Sequence, residues 1–204
     1  MTPRNLFIVG VAVTAIFTGA WFSWRIMTPP AEPVVARVLP MPIELPDFAL
    51  VDHTGAPIGR DAFNGQWDLV FFGFTHCPDI CPLTLQVLAS ARQQLADAGH
   101  QPLPRIVLVS VDPERDTPEK LAQYIGYFGA DNLGITGDLE ALRELTSGIG
   151  IFFEKTSTHA DNYTVDHSAV VIVIDPDGKF SALFSTPHEA ENFVNDLPLL
   201  MSGR

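Results

Sequence analysis

A run of 19 residues without a charged side chain, rich in apolar residues, extends from Leu6 to Trp24. In a helix that rises about 1.5 Å per residue, this length is close to the ~30 Å of a bilayer's hydrocarbon core. Trp21 lies where aromatic side chains anchor a helix at the membrane interface, and no A-x-A-like cleavage site follows the run. We therefore predict a transmembrane anchor over residues 6–27 and a short cytoplasmic tail over residues 1–5, in preference to a cleaved signal peptide.

The segment that follows, residues 28–46, is rich in proline and predicts no folded element. It contains six prolines and few side chains that could pack, which is typical of an extended tether. Arg4 lies on one side of the apolar run, and Arg25 and Arg37 lie on the other, so the positive charges do not orient the anchor. We expect the arrangement usual for a single N-terminal anchor, in which the large domain is exported.

Two continuous apolar runs mark the centre of the folded domain. Residues 69–74 and 105–111 are bounded by turn residues, which is typical of strands buried on both faces of a sheet. Each run precedes a segment with apolar residues at helical spacing, and these segments begin at Pro82 and Pro118. The alternation of strand and helix favours parallel pairing of the two strands.

Strands with turn residues between them are predicted on both sides of this centre. Residues 48–58 alternate between apolar and polar positions around a glycine turn, which predicts a β-hairpin. Residues 168–174 and 179–184 predict two more strands joined by a tight turn. A capping box at Thr186 predicts that the final helix begins there.

An extra segment separates the centre from the last two strands. It holds a helix capped by Asp138 and a polar stretch that ends at Asp166. The order of the remaining elements is that of the thioredoxin plan. We therefore predict, for residues 47–204, an α/β domain with a thioredoxin-like fold, an N-terminal β-hairpin and an insertion before the last two strands.

The charge balance limits the possible partners of this domain. Acidic residues number 24 against 12 basic ones, and the formal net charge is −12 at pH 7. Binding to the phosphates of nucleic acid needs the opposite balance, so we predict that nucleic acid is not a partner. An acidic surface suits cations and basic proteins, although it is also typical of any well-hydrated protein face.

The two cysteines of the chain, Cys77 and Cys81, lie in the turn between the first central strand and its helix. A disulfide between them would close a loop too short to add much stability. The start of a helix lowers a cysteine pKa, which suits the pair either to disulfide exchange or to binding a soft metal ion such as copper(I) or zinc. Three residues separate the cysteines, one more than in the familiar redox motif, and this longer loop favours the metal.

A metal site needs a further ligand, and the predicted topology favours His167. This residue precedes the strand at 168–174, in the loop expected to face the thiol turn. Thioredoxins have a cis-proline at this point, but here no proline occurs between Pro118 and Pro176. Asp166 could hold the second ring nitrogen of the histidine, as carboxylates do for metal-bound histidines. The alternative is a histidine that only satisfies a hydrogen bond of its loop.

The remaining histidines are less suited to the site. His76 adjoins Cys77, and neighbouring side chains tend to point apart. We expect the others in a turn or on the surface: His53, His100, His159 and His188.

Three sequence blocks carry a family resemblance: FGFTHCPDICP at 72–82, VSVDPERDTPEKL at 109–121 and YTVDHSA at 163–169. With them the chain resembles the Sco/SenC family of membrane-anchored copper proteins with a thioredoxin fold, over nearly its whole length. The resemblance implies that Cys77, Cys81 and His167 bind one copper ion per chain, as Cu⁺ or Cu²⁺. The DPERDTP sequence in the second block offers no ligand by its chemistry, and we interpret it as a structural turn and partner surface.

The same resemblance implies a function outside the inner, or cytoplasmic, membrane. A single-pass metallochaperone, not an enzyme, would receive copper from a periplasmic donor and deliver it to the dinuclear copper centre of a cytochrome c oxidase subunit. A second hypothesis is a thiol-disulfide reductase that keeps the cysteines of the oxidase reduced, for which only Cys77 and Cys81 matter. A copper or redox sensor is a third.

Overall fold

The computed structural model describes residues 3–27, 31–157 and 163–202 and divides the chain into two compact units, Met1–Glu32 and Pro33–Arg204. The first unit contains helix α1 (Pro3–Met27). Its stretch Pro3–Trp24 is long and apolar enough to cross a membrane, although an N-terminal signal sequence would meet the same test.

The second unit is a mixed α/β domain. Its strands are β1 (Arg37–Glu44), β2 (Leu50–Asp52), β3 (Pro57–Ile58), β4 (Asp68–Gly73), β5 (Arg105–Ser110), β6 (Leu133–Thr136), β7 (Phe153–Ser157), β8 (Tyr163–His167), β9 (Val171–Ile174) and β10 (Lys179–Phe184). Its helices are α2 (Ile80–Asp97), α3 (Pro118–Gly126), α4 (Leu139–Gly148) and α5 (Ala190–Ser202), and Arg60–Phe63 forms a short 3-10 turn. Eight strands make one sheet in the order β1-β10-β9-β4-β5-β6-β2-β3, while β7 and β8 form a two-stranded sheet of their own.

Strand β4 lies at the centre of the large sheet. All six of its residues are buried, as its continuous apolar pattern predicts. It pairs in parallel with β5 and antiparallel with β9, and β9 pairs antiparallel with β10. The crossover between β4 and β5 is α2, which packs beside α5. This arrangement of central strands and helices confirms the predicted thioredoxin-like fold, and the pairing of β2 with β3 confirms the N-terminal hairpin.

The predicted insertion lies between β6 and β9. It consists of α4, whose first turn is capped by the carboxylate of Asp138, and the hairpin β7–β8. His167 is the last residue of β8. The hairpin therefore brings the predicted ligand back to the start of β9, next to the centre of the large sheet.

The prediction of an extended tether over residues 28–46 is wrong for its second half. Strand β1 pairs antiparallel with β10 at the edge of the large sheet. A bulge between Val38 and Ile43 accommodates Pro40 and Pro42, and an edge strand tolerates prolines because one side of it needs no ladder hydrogen bonds. The proline-rich composition therefore concealed a strand.

Two further differences concern short elements. Strand β6 was not predicted, because its sequence Leu-Gly-Ile-Thr is too short to show a period. All four residues are buried, and the first three pair in parallel with β5. The capping box predicted at Thr186 is wrong, since α5 begins at Ala190. The segment before this helix is held elsewhere: the His188 Nε2 atom lies 2.8 Å from the carbonyl oxygen of Ala169.

Candidate metal centre

The thiol turn connects β4 to α2. The backbone N–H of Cys77 donates to the carbonyl oxygen of Phe74 at 3.2 Å, which closes the turn after the strand. Helix α2 begins at Ile80, so Cys81 lies in its first turn, and the Cys81 backbone N–H is 3.4 Å from Cys77 Sγ. Both cysteines are buried and neither forms a disulfide.

Gly73 leaves room for the second sulfur. A Cβ atom at this position would lie 3.0 Å from Cys81 Sγ and 2.9 Å from the ring of Phe71. Contacts this close are shorter than carbon makes with its neighbours in packed interiors. The absence of a side chain at the end of β4 is therefore part of the site, and the sequence analysis did not identify it.

His167 is the only one of the histidines in the described residues that joins the two thiols. Its Nε2 atom lies 3.6 Å from Cys81 Sγ, and one donor atom from each of Cys77, Cys81 and His167 lies within 4.8 Å of the other two. The rings of Phe71 and Phe74 pack edge-on against the imidazole, with centroids 5.7 and 5.9 Å away. The structure thus brings together the three residues predicted from the sequence.

A backbone group, not Asp166, holds the second nitrogen of this imidazole. His167 Nδ1 lies 3.3 Å from the carbonyl oxygen of Ser168, which can only accept a hydrogen bond, while Asp166 is exposed. The carbonyl favours the tautomer with its proton on Nδ1 and leaves the lone pair of Nε2 directed at the sulfur. Asp166 acts on the ring only through its charge.

Burial shifts the pKa of two of the three candidate ligands, Cys81 and His167. It raises the pKa of the Cys81 thiol far above its ordinary value of 9.0, and the neighbouring Cys77 and Asp116 add to the rise. The expectation that the helix start lowers the pKa is therefore wrong for Cys81, because loss of solvation outweighs the helix dipole. Burial also lowers the pKa of His167 below its ordinary value of 6.5, so the imidazole is neutral at pH 7.

The DPERDTP block contacts the thiol turn through Asp116. This carboxylate is fully buried and accepts hydrogen bonds from the backbone N–H of Thr75 at 2.9 Å, from the Thr75 hydroxyl at 2.5 Å and from the Ser110 hydroxyl at 2.7 Å. Thr75 lies two residues before Cys77. The block is thus structural, as predicted, but its role in fixing the thiol turn could not be seen in the sequence.

The other histidines lie away from the thiol pair or outside the description. His76 is exposed and forms a separate cluster with Asp112 and Asp116, whose carboxylate oxygens already accept hydrogen bonds from protein groups. His53 Nδ1 accepts from the backbone N–H of Gly134 at 3.0 Å and does not cap the hairpin. The predicted surface position is correct for His100, whereas His188 is half-buried and His159 lies outside the described residues.

The arrangement suits a soft metal ion. Two sulfurs and one neutral imidazole nitrogen are the donor types that copper(I) and zinc prefer. Closed zinc sites in proteins take four protein ligands, and the cluster of described residues offers three. The donor set therefore fits copper better than structural zinc.

Comparison with known proteins identifies the family. The model of the SCO1/SenC family matches residues 40–202. A protein of Stutzerimonas stutzeri is 34% identical over 170 residues, which are 82% of this chain and 83% of that protein. The mitochondrial SCO2 homologue of Mus musculus is 37% identical over 152 residues, or 74% of this chain and 60% of that protein, so the chain spans less than two thirds of this relative.

A solved structure supports the same assignment. The crystal structure of Arabidopsis thaliana ScoI, which has copper bound, superposes with a TM-score of 0.72 at 29% identity, covering 78% of this chain and 98% of that one. The fold, the sequence similarity and the family match agree over most of the chain. The chain therefore belongs to the SCO1/SenC family.

Proposed function

We propose that this protein is a copper chaperone that binds one copper ion through Cys77 Sγ, Cys81 Sγ and His167 Nε2. The observation that carries the proposal is the convergence of these three atoms within 4.8 Å from two distant parts of the chain. The copper bound in the related Arabidopsis structure supports the choice of ion. The two thiolates suit Cu⁺, and the imidazole adds a ligand that also suits Cu²⁺.

Binding changes the protonation of the site in a defined way. Copper takes the thiolate, so the Cys81 proton, which burial holds on the sulfur, leaves when the ion binds. His167 needs no proton loss because its imidazole is already neutral at pH 7. Its Nδ1–H donates to the Ser168 carbonyl, which keeps Nε2 directed at the ion.

We further propose that helix α1 anchors the protein in the cytoplasmic membrane with the copper-binding domain on the periplasmic side. The apolar stretch Pro3–Trp24 supports the anchor. The copper would be delivered to the dinuclear copper centre of a cytochrome c oxidase subunit, after loading by a periplasmic donor. Family membership supports this target.

The proposal is tested by titrating the purified domain, residues 33–204, with Cu⁺ and with Cu²⁺. We expect one ion of either kind per chain and a loss of Cu²⁺ affinity of more than about 100-fold in His167→Ala, since that variant removes the nitrogen ligand itself and not only a residue that orients it. His100→Ala is the matched control, because this histidine is exposed. Unchanged Cu²⁺ binding in His167→Ala would disprove the three-ligand site.

A second candidate function is the reduction of disulfides, and the adjacency of the two free thiols favours it. The proton that burial holds on Cys81 argues against that sulfur as the attacking thiolate. A reductase would retain activity toward a disulfide peptide in His167→Ala and lose it in Cys77→Ala. A chaperone predicts instead that both variants fail to restore oxidase activity in cells at limiting copper.

A further inference from the structure

The hairpin β7–β8 carries His167 but belongs to its own small sheet. Of the five residues in β8, only Val165 is buried. Val165 belongs to the core, and Phe153 and Tyr163 pack against it while remaining partly exposed. The imidazole must nevertheless stay within a few ångströms of the thiols for all three donors to reach one ion. Contacts outside the core also contribute to the position of the hairpin.

Arg115, in the loop between β5 and α3, contacts the hairpin through both its plane and its edge. The guanidinium carbon lies 3.7 Å from the centre of the Tyr163 ring, and Nη1 donates to the Tyr163 carbonyl oxygen at 3.1 Å. The same carbon lies 5.7 Å from the centre of the Phe74 ring, which packs against His167. Arg115 is thus a bridge between the first residue of β8 and the wall of the metal site.

Asp112 completes this end of the loop. Its carboxylate is buried and accepts a hydrogen bond from Arg115 Nε and another from the Tyr163 hydroxyl at 2.7 Å. The ion pair between Arg115 and Asp112 therefore has a defined geometry, because the planar guanidinium of Arg115 is held both by the carboxylate and by stacking on the Tyr163 ring. The ion pair between Lys155 of β7 and Glu114 of the loop also connects these two segments. Both of its side chains are solvated, so it contributes little to the stability of the connection.

The other end of the loop holds the thiols. Asp116, four residues after Asp112, binds the backbone and hydroxyl of Thr75 at the start of the thiol turn. The loop 112–116 therefore contacts both parts of the site. Asp116 binds the thiol turn, and Arg115 and Asp112 bind the hairpin that carries the histidine.

We propose that the loop 112–116 is a brace that sets the position of the His167 imidazole relative to the two thiols, with Arg115 as the positioning residue on the hairpin side. The inference rests on the proposed copper site. Because two thiolates suffice for Cu⁺ whereas Cu²⁺ relies on the imidazole, the brace controls which oxidation state the site retains. Weakening it lowers the retention of Cu²⁺ and leaves that of Cu⁺ nearly unchanged.

The test uses the purified domain in two measurements. In the metal-free protein, NMR detects proximity of the His167 ring to the Phe74 ring, and we expect this signal to weaken in Arg115→Gln. In copper titrations, Arg115→Gln is expected to lose about 10- to 100-fold in Cu²⁺ affinity, the range typical of residues that orient metal ligands. Arg92→Gln is the matched control, because Arg92 has the same side-chain exposure of 21% and pairs with an exposed aspartate.

The outcomes separate the brace from the copper site itself. If the parent protein binds no copper, the proposed function fails, and the metal-free NMR contact alone decides on the brace. If the parent binds Cu²⁺ through His167 and Arg115→Gln keeps both the ring contact and the affinity, the brace is disproved. Should Arg115→Gln fail to fold, Tyr163→Phe replaces it, since this variant keeps the ring and removes the hydroxyl bonds to Asp112 at 2.7 Å and to Glu114 at 3.4 Å. An intact ring contact and unchanged Cu²⁺ affinity in Tyr163→Phe would also overturn the inference.

Discussion

The space next to Cys81 depends on a single glycine, and we expect Gly73→Ala to disturb both stability and metal binding. The added methyl group would lie 3.0 Å from Cys81 Sγ and 2.9 Å from the Phe71 ring. Overpacking of this kind costs about 1–3 kcal/mol, and it displaces the sulfur from the other two donors. Chemical denaturation and a copper titration measure the two effects.

Gly126→Ala is the control for this substitution. Gly126 lies at the end of α3, and a Cβ atom there would meet no atom within 4 Å. Replacing a helical glycine by alanine is expected to stabilise by about 0.5–1 kcal/mol and to leave copper binding unchanged. Equal effects of the two substitutions would contradict the steric role of Gly73.

The raised pKa of Cys81 predicts a pH dependence of copper binding. The thiol keeps its proton at neutral pH, so copper must displace it, and each displaced proton makes the apparent affinity rise about tenfold per pH unit. The lowered pKa of His167 adds no competing proton above pH 6.5. We therefore expect copper affinity to increase steadily from pH 6.5 to pH 8, and calorimetry in buffers of different ionisation enthalpy counts the protons released.

The stability of the metal-free protein depends on pH in the opposite direction: it falls as the pH rises. A thiol whose pKa is raised by folding stabilises the fold below its ordinary pKa of 9.0, and this contribution is lost as the pH rises further. Copper affinity that does not change between pH 6.5 and pH 8 would show that Cys81 is not deprotonated on binding.

Among the elements, strand β1 depends on a carboxylate in α5. Asp196 is buried and accepts hydrogen bonds from the backbone N–H groups of Val34, Val35 and Ala36 at 3.0, 2.7 and 2.7 Å. These bonds fix the chain just before β1 enters the sheet. They explain why a proline-rich segment is ordered without a hydrophobic core of its own.

We expect Asp196→Asn to destabilise the domain by at least about 2 kcal/mol. The amide group can accept through only one atom and turns a donor toward backbone donors, which leaves buried N–H groups without partners. Denaturation gives the free energy of unfolding, and hydrogen exchange at Val34–Ala36 shows whether the loss is local. Asp131→Asn is the control, because Asp131 is mostly exposed and we expect a change within about 0.5 kcal/mol.

The sequence predicted the elements whose pattern is local. Strands β4 and β5 are continuous apolar runs, α3 begins at the predicted Pro118, and the structure confirms the predicted cap of α4 at Asp138. Strands β1 and β6 were missed because the pairing that makes them strands comes from distant residues, in β10 and β5. Local composition cannot reveal a partner elsewhere in the chain.

For the whole molecule, the same distinction separates the proposed ligands from the residues that support them. Cys77, Cys81 and His167 could be predicted because their residue types carry metal chemistry and the fold order places them together. Arg115 and Gly73 have no such signature: one acts by contacts with a separate hairpin, and the other by the absence of an atom. Only the three-dimensional arrangement identifies them.

The hydrogen bonds of Asp196 also shorten the connection between helix α1 and the folded domain, compared with the predicted tether over residues 28–46. Helix α1 ends at Met27 and the domain is fixed from Val34, so the seven Cα–Cα steps between them span at most about 25 Å, whatever their conformation. For a chain anchored by α1, so short a connection keeps the domain near the bilayer and limits the volume in which it can meet a partner. Such confinement raises the effective concentration toward a target in the same membrane and gives no advantage toward one that diffuses freely in solution.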